Sequence, residues 1–70
     1  MTKYRCFVRA WWRNNPNWPN GLEPHPGRRV YAGHPANLTE DEARRYCRNW
    51  NAEHKPGRLS RKCEFEAQGA

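Results

Sequence analysis

Tyr4-Arg5-Cys6-Phe7-Val8-Arg9-Ala10-Trp11-Trp12 is the stretch on which the fold turns. Tyr4, Cys6, Val8, Ala10 and Trp12 fall on one face, and Arg5, Phe7, Arg9, Trp11 and Arg13 on the other. A side-chain period of two in a run rich in aromatic residues reads as a β-strand over residues 4–12 with one face on a core. Beyond it the pattern stops. Residues 14–28 hold four Pro, two Gly and four Asn, and each Pro fixes φ and lacks an amide donor, so neither helix nor central strand fits. The turn dipeptides Asn20-Gly21 and Pro26-Gly27 support a loop, and Trp18 and Leu22 suggest a compact one tacked down by Trp18.

A second strand is expected over 29–33, with Val30 and Ala32 on one face and Arg29 and Tyr31 on the other. Thr39 and Glu42 then form a capping-box pair, flanked by Leu38 and Ala43, and three acids occupy the first turn. Ala43, Tyr46, Cys47 and Trp50 recur at i, i+3, i+4 and i+7, which predicts an amphipathic helix over 40–54. Pro56-Gly57 ends it. Residues 61–67 alternate again, placing Cys63, Phe65 and Ala67 opposite Lys62, Glu64 and Glu66. The expected fold is α+β, β-β-α-β: a three-stranded antiparallel-type sheet in order 2-1-3, one helix on one face, and a long Pro-rich loop between strands 1 and 2. A right-handed crossover makes strands 2 and 3 parallel to each other. The expected core is Tyr4, Cys6, Val8, Ala10, Trp12, Val30, Ala32, Ala43, Tyr46, Cys47, Trp50, Cys63 and Phe65.

Seventy residues make one small domain, 1–70. A chain of this length buries only about 60% of its unfolded surface, so the core must be small and rich in large side chains. Mean hydropathy is −1.32, and the longest apolar stretch, Ala10-Trp11-Trp12, is far below the roughly 20 residues of a membrane-spanning helix. No secretory pattern opens the chain. Cys6, Cys47 and Cys63 are odd in number and widely spaced, which points to a reducing compartment, hence a cytoplasmic protein. Cys6 and Cys63 would lie near enough to oxidise if their strands adjoin.

Catalysis has little to work with. The chain has one Ser, Ser60, and one Asp, Asp41, with no nucleophile set beside a base. Glu64 and Glu66 share a strand face, where they either share a proton or pair with Arg5 and Arg9 across the ladder. His25, His34 and His54 are scattered, and the Cys spacings of 41 and 16 residues follow no metal-ligand rhythm. No catalytic residue, metal or cofactor is therefore expected.

Binding is better represented. Arg5, Phe7, Arg9, Trp11 and Arg13 alternate cation with ring, and Arg29 and Tyr31 extend that face. Rings on a basic sheet are a means of stacking unpaired bases. Arg44, Arg45, Arg48, Arg58, Arg61 and Lys62 add charge, and a net charge of +6 suits a polyanion. In the competing reading the loop covers Phe7 and Trp11, with Trp18 and Leu22 as lid. Trp18, Leu22 and His25 then form a protein-binding surface aimed at a host factor. Neither reading involves a membrane. The free edges of strands 2 and 3 allow a monomer or a weak homodimer.

The stretches Trp11-Trp12-Arg13-Asn14-Asn15-Pro16-Asn17-Trp18-Pro19-Asn20-Gly21-Leu22-Glu23-Pro24 and Gly57-Arg58-Leu59-Ser60-Arg61-Lys62-Cys63-Glu64-Phe65-Glu66 resemble small uncharacterised accessory proteins of tailed bacteriophages and prophages. That likeness implies a bacterial host cytoplasm and brings no functional residue with it. Arg28-Arg29-Val30-Tyr31-Ala32-Gly33 with Thr39-Glu40-Asp41-Glu42-Ala43 is similar to integrase-type three-stranded DNA-binding domains. Those domains place all three strands before the helix, whereas this chain places one after it.

Overall fold

The computed structural model describes residues 2–69, so the two terminal residues of the expected 1–70 domain lie outside the described residues. Five elements follow one another: β1 (Tyr4–Arg9), β2 (Trp12–Asn14), β3 (Leu22–Pro24), α1 (Glu40–Glu53) and β4 (Lys62–Ala67). The alternation in β1 and β4 is satisfied by pairing them antiparallel, in a register running from Tyr4↔Ala67 to Arg9↔Lys62. Their shared apolar face receives α1. Cys6, Val8, Ala43, Cys47 and Cys63 form the buried centre, with Tyr4, Leu38, Tyr46, Trp50 and Phe65 packed around it.

Local chemistry starts the helix where expected. Thr39 Oγ1 accepts from the Glu42 amide at 3.2 Å, and Glu42 Oε1 accepts from the Thr39 amide at 2.9 Å. Two donors at the helix N-terminus are thereby satisfied. At the other end the His54 amide closes on the Trp50 carbonyl, and the His54 ring lies parallel to the Trp50 indole, centroids 4.1 Å apart.

The expected three-stranded sheet does not form. The molecule has two separate two-stranded antiparallel sheets, β1–β4 and β2–β3. The strand expected over 4–12 breaks after Arg9, because the backbone at 10–12 finds other partners. Ala10 O accepts from the Gly27 amide, and the Trp11 and Trp12 amides both turn to Leu59 O, at 3.0 and 3.2 Å. Trp12–Asn14 then pairs with Leu22–Pro24, so the expected irregular loop over 14–28 contains half of a hairpin. Pro24 is tolerated because β3 is an edge strand of a two-stranded sheet.

The strand expected over 29–33 is also absent. Val30 makes one bridge to Val8, and the next contact of this kind on β1 is Tyr4↔Leu38. A continuous ladder from Val30 would bring His34 opposite Tyr4, so four extra residues are looped out. They leave through a turn closed by His34 N to Tyr31 O at 3.1 Å, with Gly33 at φ +81°. Val30 is consequently 45% exposed. Ala32 is exposed too, and Ala10 and Trp12 are only half-buried, so these four leave the expected core. Among the described residues no helix is long and apolar enough to cross a membrane.

Candidate polyanion-binding surface

The β1–β4 face turned away from the helix carries most of the residues expected to stack bases and clamp phosphate. Register decides their fate. Arg5 lies directly opposite Glu66, and Phe7 opposite Glu64. Arg5 Nε donates to Glu66 Oε2 at 2.7 Å, Arg29 reaches Glu66 Oε1 at 3.0 Å, and the Tyr31 hydroxyl donates to Glu66 Oε2 at 3.0 Å. Arg9 Nε donates to Glu64 Oε2 at 2.9 Å. The pairing of Glu64 and Glu66 with Arg5 and Arg9 is the cross-strand arrangement that the alternation suggested. Partial burial pushes the Glu66 carboxyl up, but the bonds from Arg5 and Tyr31 and the charges of Arg5 and Arg29 outweigh it and hold it below the usual range.

The rings of this face are equally engaged. Phe7 is 3% exposed. It packs on Tyr31 at 5.6 Å between centroids, with the Arg9 and Arg29 guanidinium groups 5.7 and 5.4 Å from its own centroid. Arg5 covers Tyr31 at 4.4 Å, and Arg9 covers Trp11 at 4.2 Å. Phe7 thus has no open face for a base, and each cation–ring contact is already made within the chain. Arg13 sits apart on β2, paired with Glu23 of β3. That bond, more than any other contact, holds Glu23 below its ordinary value against the opposing effect of burial.

The loop residues fall elsewhere than expected. Phe7 is covered by Tyr31 and two arginines, so the lid role expected of Trp18 and Leu22 is filled by other side chains. Trp18 stands at the tip of the β2–β3 hairpin and is 43% exposed. Its turn is closed by its own backbone: the Trp18 amide donates to Asn15 O and the Gly21 amide to Trp18 O, both at 2.9 Å. Asn15 and Asn20 side chains accept the amides of Asn17 and Leu22. Leu22 is half-buried, and His25 is exposed beyond the end of β3.

A second group of cations has a different environment. Arg45, Arg48, Lys55, Arg61 and Lys62 are all exposed, and no carboxylate of the described residues lies within ion-pair distance of them. Asn51 ties two of the segments that carry them together. Its Nδ2 donates to Cys63 O at 3.1 Å and its Oδ1 accepts from Cys63 N at 2.8 Å, which fastens the start of β4 to the helix. Arg48 lies one turn before Asn51 on α1, Lys55 follows two residues after the end of α1, and Lys62 adjoins Cys63. Arg58 reaches the hairpin: its guanidinium donates to Asn14 Oδ1 at 3.1 Å and lies against Gly21, next to the Trp18 turn. Composition makes these charges visible, and the i,i+4 spacing identifies Glu40 as the acid of Arg44, but no local signal gives Arg5, Arg9, Arg13 and Arg29 their acids. The Arg5–Glu66 bond spans 61 positions.

Among the described residues no pocket opens and no group of His, Cys, Asp or Glu is arranged to hold a metal ion. Cys47 and Cys63 sulfurs, 3.1 Å apart, are closer than the roughly 3.8 Å that two thiolates keep on one zinc. No family model matches the chain, and neither a curated protein nor a solved structure matches it.

Proposed function

We propose that the protein acts by binding single-stranded nucleic acid, with phosphates held by Arg48, Lys55, Arg61 and Lys62 and one base stacked on Trp18. The observation that carries this reading is the division of charge. Arg5, Arg9, Arg13, Arg29 and Arg44 each sit on a carboxylate, whereas Arg45, Arg48, Lys55, Arg61 and Lys62 have none among the described residues. An unpaired, solvated cation gives up little when it meets a phosphate, but a paired one must first leave its acid. Arg58 joins the basic turn to the hairpin, so backbone contacts and an exposed ring lie on connected segments. The proposed contact surface therefore shifts from the Arg5–Tyr31 face to the turn and the hairpin tip. An accessory role of phage type belongs to the same proposal and rests on the sequence likeness of residues 11–24 and 57–66.

Titration with a single-stranded oligonucleotide, read by Trp fluorescence at about 50 and 200 mM salt, tests this. Quenching that weakens steeply with salt is expected. Absence of binding at the lower salt overturns the proposal. A second reading is favoured by the hydrogen-bonded Trp18 turn: an exposed indole on such a tip also suits a protein partner. If Trp18→Ala leaves oligonucleotide affinity unchanged, the ring belongs to that second reading.

A further inference from the structure

Three elements deliver a thiol to one point in the core: Cys6 from β1, Cys47 from α1 and Cys63 from β4, all buried. Cys63 Sγ lies 3.1 Å from Cys47 Sγ, and Cys47 Sγ lies 3.9 Å from Cys6 Sγ. Cys47 touches both others, but not equally. Asn51, four residues after Cys47, bonds both backbone groups of Cys63 and so pins that residue to the helix. Cys6 instead directs its thiol at Ala43 O at 3.8 Å, and in the ladder Val8, not Cys6, stands opposite Cys63.

We infer that Cys47 and Cys63 are an oxidisable pair that closes a disulfide between α1 and β4, with Cys6 kept as the free third thiol. The strand order alone brings Cys6 and Cys63 near enough to oxidise; the Asn51 clamp selects a different pair. The oxidant is a small-molecule disulfide such as oxidised glutathione. The thiolate of one cysteine attacks an oxidant sulfur, breaking its S–S bond and releasing one small thiolate. The second cysteine then displaces the other half. Two protein thiols lose two protons and two electrons, one protein S–S bond forms, and two small thiols leave. Burial pushes the Cys47 thiol up to about 12 and raises Cys63 as well, so the reaction is slow at neutral pH and quickens as pH rises. The bond encloses residues 48–62, the segment that carries Arg48, Lys55, Arg61 and Lys62.

The test treats the full chain with oxidised glutathione at mildly alkaline pH in native buffer, blocks remaining thiols with iodoacetamide, and maps peptides without reduction. The inference expects one linked peptide pair, Cys47–Cys63, an alkylated Cys6, and a Tm raised by about 10 °C. Cys6→Ala should give the same link, and Cys63→Ser should show no rise in Tm. In guanidinium, where the core is lost, the preference for Cys47–Cys63 should disappear. Three alkylated thiols, glutathione adducts without an internal link, or a link through Cys6 as the main product would each overturn it.

Discussion

The two sheets of this molecule are both antiparallel pairs of strands and meet opposite fates. β1–β4 has six facing pairs, a helix on one side and a layer of rings and ion pairs on the other. β2–β3 has three facing pairs, buries none of its residues fully, and ends in an exposed Trp. A two-stranded ribbon is marginal alone in water. The first becomes the core because α1 and Tyr31 cover it. The second is held by its ends: Leu59 O takes the Trp11 and Trp12 amides, Arg13 meets Glu23, and Arg58 bonds Asn14. Cover on both faces separates the folding centre from the arm.

If that contrast is right, damage to β1–β4 must be far more costly than damage to the hairpin. Phe7→Ala removes a buried ring from the outer layer and should cost about 3–5 kcal/mol. Most of the stability of so small a domain would be lost, visible as a collapse of the urea midpoint. Asn51→Ala leaves both backbone groups of Cys63 without their partner and should cost about 1–3 kcal/mol in the same assay. Trp18→Ala should change stability by less than about 0.5 kcal/mol. A large loss there would make the hairpin part of the folding unit and erase the distinction.

Acid sharpens the same comparison. Glu66 titrates below its ordinary value in the folded state, so its contribution is complete above the unfolded pKa and is lost as pH falls through the lower, folded value. Stability measured by urea denaturation should therefore be level near neutrality and decline below about pH 4.5. Glu66→Gln should flatten that decline.

The elements that sequence reveals most fully are those whose causes are local. The Thr39–Glu42 capping box and the stripe Ala43, Tyr46, Cys47 and Trp50 place α1 within a residue of its observed end. The period of two in Tyr4–Arg9 and Lys62–Ala67 gives both strands of the main sheet, and the Arg–Glu pairs across them follow from it. The third strand failed for a reason that residue type does not encode. Ala10 to Trp12 keep the alternating pattern while their backbone exchanges one partner for another, and the turn at 31–34 loops out four residues between Val30 and Leu38. The site shared this difficulty. Arg5, Arg9, Arg13 and Arg29 were readable as a basic face, but their availability depends on which acids the ladder brings opposite. Trp18 looked like a lid from its hydrophobicity and stands exposed because its turn closes on itself.

In the proposed binding mode the unpaired cations, and not the paired face, meet the polyanion. The direct measurement is the salt dependence of single-stranded oligonucleotide affinity for two variants beside the parent chain. One carries Lys55→Gln, Arg61→Gln and Lys62→Gln; the other carries Arg5→Gln alone. The account predicts that the triple variant lowers the log–log slope by about 0.7 for each contact removed, while Arg5→Gln leaves the slope unchanged and lowers stability. A slope reduced by Arg5→Gln and untouched by the triple variant would contradict it.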